Sequence, residues 1–232
     1  MIAARLEKIR REILEAAHRS GRSGIDVCLI GVSKTQPPSM LSEALAAGLE
    51  NLGENRVQEA AGKKSDVHGE ARWHLIGPLQ RNKAKKALEI FDVIHTLDRP
   101  ELVERLQFLL EEHWPGRSLP VLLQVNIGRE GQKTGVRPED LGLLGQEICR
   151  NAPALRPIGL MCIPPQGEDP EAGRPFFRNL RKLRDDLEQL LGQSLPELSM
   201  GMSADFGIAI EEGATMVRVG SALFGPRGRW PR

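Results

Sequence analysis

The sequence predicts a parallel (β/α)₈ barrel, and three observations carry that prediction. Eight short apolar segments recur along 232 residues. A stretch of helical character separates each from the next, so the strands need crossover connections and a parallel sheet. The length is close to that of one such barrel. An open doubly wound sheet is the rival. No GxGxxG follows the first strand, which removes the main positive signal for it. One domain over residues 1 to 232 is expected.

Ile2, Leu6, Ile9 and Ile13 recur at helical spacing, so residues 2 to 18 form an extra amphipathic helix ahead of the repeating pattern. Residues 25 to 34, IDVCLIGVSK, hold the first strand, buried on both faces because apolar and polar residues scarcely alternate. Lys34 stands where that strand ends, and Pro37 and Pro38 prevent further ladder pairing. The run SMLSEALAAG is a helix closed by Gly48. LENLGEN is the second strand, VQEAAGKK the next helix, and residues 73 to 77 the third strand. QRNKAKKALEI is a helix with a basic outer face, followed by a fourth strand at 92 to 98. Asp98 is expected to cap the helix after it, with Glu101 completing a capping box and Leu102, Leu106 and Leu109 on its apolar face. The fifth strand spans 119 to 128 and leads through a glycine-rich loop to a helix at 138 to 150. The sixth spans 158 to 163 and stops at two prolines. A long helix over 171 to 191 presents Phe176, Leu180, Leu183, Leu187 and Leu190 as one stripe. Residues 197 to 203 and 215 to 221 are the last two strands, with a short helix around Phe206, Ala209 and Ile210 between them; ALFGPR ends the fold.

A formal net charge of +1 gives no global field to draw in nucleic acid or a membrane surface, and neither partner is expected. The basic run Arg81, Lys83, Lys85 and Lys86 lacks interleaved aromatics and reads as a solvated helix face. The three cysteines form no CxxC pair, so neither a disulfide scaffold nor a zinc site is suggested. The charged N-terminal stretch is unlike a signal peptide, and cytoplasm is the expected compartment.

Side chains at the C-terminal ends of barrel strands do the chemistry of such folds. Here those ends carry Lys34, Asn55, His74, His95, Asn126, Met161, Ser199, Met200, Ser203 and Arg218. A lysine partly desolvated at a strand mouth favours the neutral amine that attacks an aldehyde; the plainer reading is a strand-end lysine reaching to water. SMGMSADF and RVGSALFG each place a glycine and a serine, Ser203 and Ser221, ahead of a short helical pattern. An ordinary helix cap explains either one. Two such turns after the last two strands match the usual barrel phosphate site, with Gly220 allowing close approach. Arg218 could join a phosphate there, or sit at the rim among carbonyls or a carboxylate. His74 and His95 lack a carboxylate at ligand spacing and read as satisfied interior histidines.

Seven segments, IGVSKTQP, NLGENRVQE, WHLIGPLQRNK, VNIGREGQKTG, IGLMCIPP, LSMGMSADF and MVRVGSALFGPR, stand in this order between residues 25 and 227. Together they resemble the YggS/PROSC family of pyridoxal 5′-phosphate (PLP) homeostasis proteins, related in fold to the N-terminal barrel of alanine racemase. The resemblance implies PLP as cofactor, held as an aldimine (a Schiff base) on Lys34. It implies Ser203, Gly220 and Ser221 at the phosphate, Arg218 facing the pyridine nitrogen, Asn55 and His74 lining the pocket, and Met200 packing near the ring. It also implies exchange of PLP with amino acids or PLP-dependent enzymes, a monomer with a dimer left open, and no established turnover. A single-domain racemase or lyase is the alternative. Alanine racemases use a tyrosine base from a second domain and partner subunit, and this chain contains no tyrosine. Arg56 departs from the aromatic residue common at its position, GREGQKTG from a serine-rich loop, and residues 163 to 165 carry a doubled proline.

Overall fold

The computed structural model describes residues 1–23, 27–165, 167 and 169–225. Ile25 and Asp26, which open the first predicted strand, and Pro226 and Arg227, which close the last predicted segment, lie outside the described residues. The strands are β1 (Cys28–Val32), β2 (Asn51–Glu54), β3 (Arg72–Leu75), β4 (Val93–Leu97), β5 (Leu119–Val125), β6 (Leu155–Cys162), β7 (Glu197–Met202) and β8 (Met216–Val219). They form a closed barrel in chain order, and every neighbouring pair is parallel. The predicted TIM-barrel fold is therefore the observed one.

The helices are α1 (Ile2–Arg19), α2 (Pro38–Ala46), α3 (Val57–Lys63), α4 (Ala84–Ile90), α5 (Pro100–His113), α6 (Leu141–Asn151), α7 (Arg174–Leu191), α8 (Phe206–Glu211) and α9 (Ser221–Phe224). The extra helix α1 packs on α8, α9 and α2. Its buried stripe, Ile2, Leu6, Ile9 and Ile13, is the predicted one. The helices after β7 and β8 are only one to two turns long, and α1 supplies the apolar cover they lack. Arg19 Nε ties it to Glu211 Oε1 at 2.7 Å.

Two local expectations are corrected. On α7 the buried stripe is Phe177, Leu180 and Leu187, while Phe176 is half-buried and Leu190 is 52% exposed. At 100° per residue Phe176, Leu183 and Leu190 fall to one edge of the face centred on Leu180 and Leu187, while Phe177 falls to the other side and is the phenylalanine that is buried. Asp98 does not cap α5: the N-cap is Arg99, with no side-chain bond to the helix. Its carboxylate instead pairs with Arg99 and accepts the Gly135 N–H at 3.2 Å, anchoring the loop after β5.

The core has two parts. The larger lies between barrel and helices; the smaller is an interior plug of Ile30, Val93, Leu122, Ile158, Met161 and Met216. Strand side chains alternate, so a step of two residues stays on the same face. Two residues beyond Val93, Leu122 and Met216 stand His95, Gln124 and Arg218, all buried. An apolar floor thus carries a polar layer on the side of the C-terminal strand ends.

Gly159 is set by contact between neighbouring strands. A Cβ there would lie 1.8 Å from the Glu197 carbonyl oxygen on β7. Gly159→Ala is expected to destabilise by about 3 kcal/mol or more, because backbone must shift. Gly62, exposed within α3 with open space around it, provides the contrast. Gly62→Ala is expected to stabilise by about 0.5–1 kcal/mol. Urea unfolding of both variants checks the opposite signs.

Candidate functional site

Parallel strands point all their C-terminal ends at one face of the barrel. β1 reaches that face between β8 and β2, with Gly31 beside Val219 and Val32 beside Gly53. The Ser33 N–H continues the ladder to the Gly53 carbonyl at 2.9 Å. Lys34 follows in a turn, half-buried, on the same alternation as Ile30 and Val32. Extending the register places it opposite Asn55, just past β2, and one residue beyond the level of Ser221, on the side of β8. Asn55 Oδ1 is buried and has no hydrogen-bond partner. The backbone of Asn55 is fixed by Gly77, where a Cβ would lie 2.2 Å from the Asn55 carbonyl oxygen.

The turns after β7 and β8 form one unit. Ser203 Oγ accepts the Gly220 N–H at 3.2 Å, which leaves the serine hydroxyl its own proton to donate. Asp205 Oδ1 accepts the Met202 N–H at 2.6 Å and closes the first turn. Gly201 has φ +90°, and a Cβ there would meet Ala209 Cβ at 2.6 Å, so glycine lets α8 sit close on β7. Gly220 is different. Its φ is negative, −108°, and a Cβ would touch Val32 only at ordinary contact distance, 3.5 Å. No neighbouring atom demands glycine there. Ser221 is exposed and opens α9, whose first N–H groups have no intrahelical acceptor.

Arg218 enters the barrel from β8 and is 3% exposed. Its Nη1 donates to Ser199 Oγ at 2.7 Å and its Nη2 to the Cys162 carbonyl at 2.9 Å. Among the described residues no carboxylate hydrogen-bonds to it, and burial lowers its pKa from the ordinary guanidinium value. Behind it runs a chain of buried side chains. Ser199 Oγ meets His95 Nδ1 at 2.9 Å, His95 Nε2 meets His74 Nδ1 at 2.9 Å, and His74 Nε2 meets Asn51 Oδ1 at 3.1 Å. Burial pushes His74 down to about 3; burial, then the neighbouring His74 and Arg218, push His95 well below its usual value. Both rings are therefore neutral at physiological pH, and no positive charge is added beside the guanidinium.

The Lys34 turn is held from below. Lys63, on α3, is fully buried and donates to Glu54 Oε1 at 2.7 Å and Glu59 Oε1 at 2.9 Å. It also reaches the Ser33 carbonyl at 2.9 Å and the Gln36 carbonyl at 3.3 Å. Ser33 Oγ donates to Glu54 Oε1 at 2.6 Å, and the Thr35 N–H to Glu59 Oε1 at 2.5 Å. Burial raises the Glu54 pKa above the usual carboxylate value, against the pull of Lys63. Sequence reasoning passed over this cluster, although Val57, Ala60 and Lys63 share one helical face and a lysine on an apolar face is a signal.

Lys34, Asn55, Ser203, Arg218, Gly220 and Ser221 thus gather at or just below the mouth. His74 and Met200 do not. His74 has no exposed surface and serves the interior chain, reaching toward the mouth only through His95 and Ser199. Met200 belongs to the core between barrel and helices. It alternates with Ser199, and Ser199 takes the interior face of β7. Asn126 spends its side chain on the loop after β5, bonding Glu130 and Lys133 backbone groups. Arg56 is exposed; of the basic run, Arg81, Lys85 and Lys86 are exposed and Lys83 is half-buried. Among the described residues no helix is long and apolar enough to cross a membrane, and no cluster suits a metal ion.

Known proteins resemble this chain over nearly its full length. The chain is 44% identical to the pyridoxal phosphate homeostasis protein of Aquifex aeolicus, over 96% of this chain and 97% of that one. It is equally identical to the protein so named from Pseudomonas aeruginosa, over 97% and 96%. The solved structure of PipY from Synechococcus elongatus with PLP bound superposes with a TM-score of 0.84 at 38% identity, covering 97% of this chain and all of that one. Residues 5–228 match the family described as alanine racemase, N-terminal domain, and the chain belongs to that family.

Proposed function

We propose that this chain binds PLP reversibly at the barrel mouth, holds it through Lys34, and serves PLP homeostasis by exchanging it with amino acids and PLP-dependent enzymes. The observation that carries the reading is the convergence of one amine and two joined serine-bearing turns on adjacent strand ends. The names of the relatives and the PLP in PipY support it.

The residues fit the group. Gly220 leaves room that the protein itself does not require, and the buried Asn55 Oδ1 lacks a donor. When bound, PLP would supply an aldehyde able to condense with the Lys34 amine with loss of water. The Ser203 and Ser221 hydroxyls and the N–H groups of the two turns offer donors to an anionic phosphate. Arg218 opposes a proton on a facing pyridine nitrogen by like-charge repulsion, and the neutral His74–His95 chain leaves that charge undiluted. An unprotonated ring nitrogen weakens the group as an electron sink, which suits holding it over turning over a substrate.

Titrating the protein with PLP and following visible absorbance tests the reading: a saturable new band supports it, and the spectrum of free PLP alone overturns it. Ser203→Ala and Ser221→Ala are each expected to weaken retention about tenfold, the worth of one hydrogen bond to a charged group, with the band retained at saturation. Equilibrium dialysis alongside the spectrum checks the separation.

A further inference from the structure

We propose that Lys63, with Glu54 and Glu59, is a positioning cluster that holds the Lys34 turn in the conformation needed for PLP attachment. The assignment rests on the proposed attachment at Lys34. The backbone groups flanking Lys34 are held by this cluster. Lys63 takes the carbonyls of Ser33 and Gln36, and Glu59 takes the Thr35 N–H. Backbone bonds add the Ser33 N–H to the Gly53 carbonyl and the Gln36 N–H to the Ser33 carbonyl.

That grip has a conformation to hold. Thr35 has φ +64°, in the left-handed region that a β-branched residue rarely enters. Its Oγ1 is buried and without a partner, so its own hydroxyl does not offset the strain. The neighbouring pair is also costly. Lys63 and Glu54 have no exposed surface, and Glu54 Oε2 is buried without a hydrogen bond. A pair of apolar residues would fill such a site with less desolvation penalty. The charges do what apolar residues could not: one ammonium binds two carbonyls and two carboxylates, and one of those carboxylates fixes the residue after Lys34. Lys63 does not touch PLP in this arrangement; it acts through Lys34.

The test uses the full chain and four variants: Glu59→Ala, Lys63→Met, and each combined with Thr35→Gly. Attachment of PLP is followed by absorbance, and hydrogen exchange of the Thr35 amide is followed without PLP. Glu59 is partly exposed, so Glu59→Ala keeps the proposal testable if Lys63→Met fails to fold. Glu59→Ala is expected to slow attachment about tenfold and Lys63→Met about a hundredfold, with faster Thr35 exchange in both. Glycine accepts the left-handed conformation, so Thr35→Gly is expected to recover about tenfold in each background. A cluster that merely stabilises the fold would lower the melting temperature, leave attachment unchanged well below it, and gain nothing from Thr35→Gly. That result overturns the assignment. Equal attachment by the parent and Glu59→Ala overturns the cluster alone; failure of the parent to attach overturns the proposed function and the cluster with it.

Discussion

Lys34→Ala is expected to fold, yet develop no saturable band beyond the spectrum of free PLP. The side chain is half-buried, and the backbone of its turn is held by Lys63 and Glu59 through Ser33, Thr35 and Gln36. Those bonds do not use the Lys34 amine, so the substitution keeps them. The two serine turns still offer their donors, so noncovalent retention survives at roughly a hundredth of the parent's, a loss of about 2.8 kcal/mol. Absorbance and dialysis on the same samples separate the two terms. A variant that keeps the band shows that another amine carries the attachment.

The second large effect is acid destabilisation. His74 and His95 are neutral when folded, because burial holds both pKa values far below the unfolded one. In the unfolded chain a histidine titrates near about 6.5. Their contribution is therefore complete above that pH and is lost as pH falls below it, since only the unfolded state takes up the protons. For His74 the loss continues down to about pH 3. Glu54 works the other way: its raised pKa favours proton uptake by the folded state and offsets part of the loss. The net expectation between pH 7 and pH 5 is about 3 kcal/mol of lost stability, or roughly 10 °C in Tm. The carboxylates of half-buried Glu211 and buried Glu212, held low by Arg174, Arg19 and Arg178, add their own loss only nearer pH 4 and below. Calorimetry across this range checks the slope. His74→Gln/His95→Gln starts less stable but is expected to show a flatter acid limb. A parent whose Tm is level from pH 7 to pH 5 contradicts the neutral chain.

Much of this was legible in the sequence. Lys34 and the glycine-serine turns could be placed because each follows a run of apolar residues that a barrel strand must bury, and the register then brings them together. Element boundaries moved by a few residues, as for β6, which starts at Leu155 rather than 158. What the sequence hid depended on closure. The chain from Arg218 through Ser199 and His95 to His74 joins strands far apart in order, and nothing local marks it. The face of Met200 was open to better reading: in LSMGM, the small residues Ser199 and Gly201 share one phase, and the bulky Leu198, Met200 and Met202 the other. The bulky phase suits the helix side. The Lys63 cluster was half visible as a Glu59–Lys63 pair one helical turn apart, but its meaning lies in the Ser33–Gln36 turn, which only the fold brings to it.

The central claim is that one amine, set between two strand ends and faced by a double serine turn, carries the cofactor. Borohydride reduction of the PLP-loaded protein, followed by peptide mapping, tests it most directly. A single stoichiometric phosphopyridoxyl group on Lys34 is expected. A stoichiometric adduct on any other lysine, with Lys34 unmodified, would contradict it.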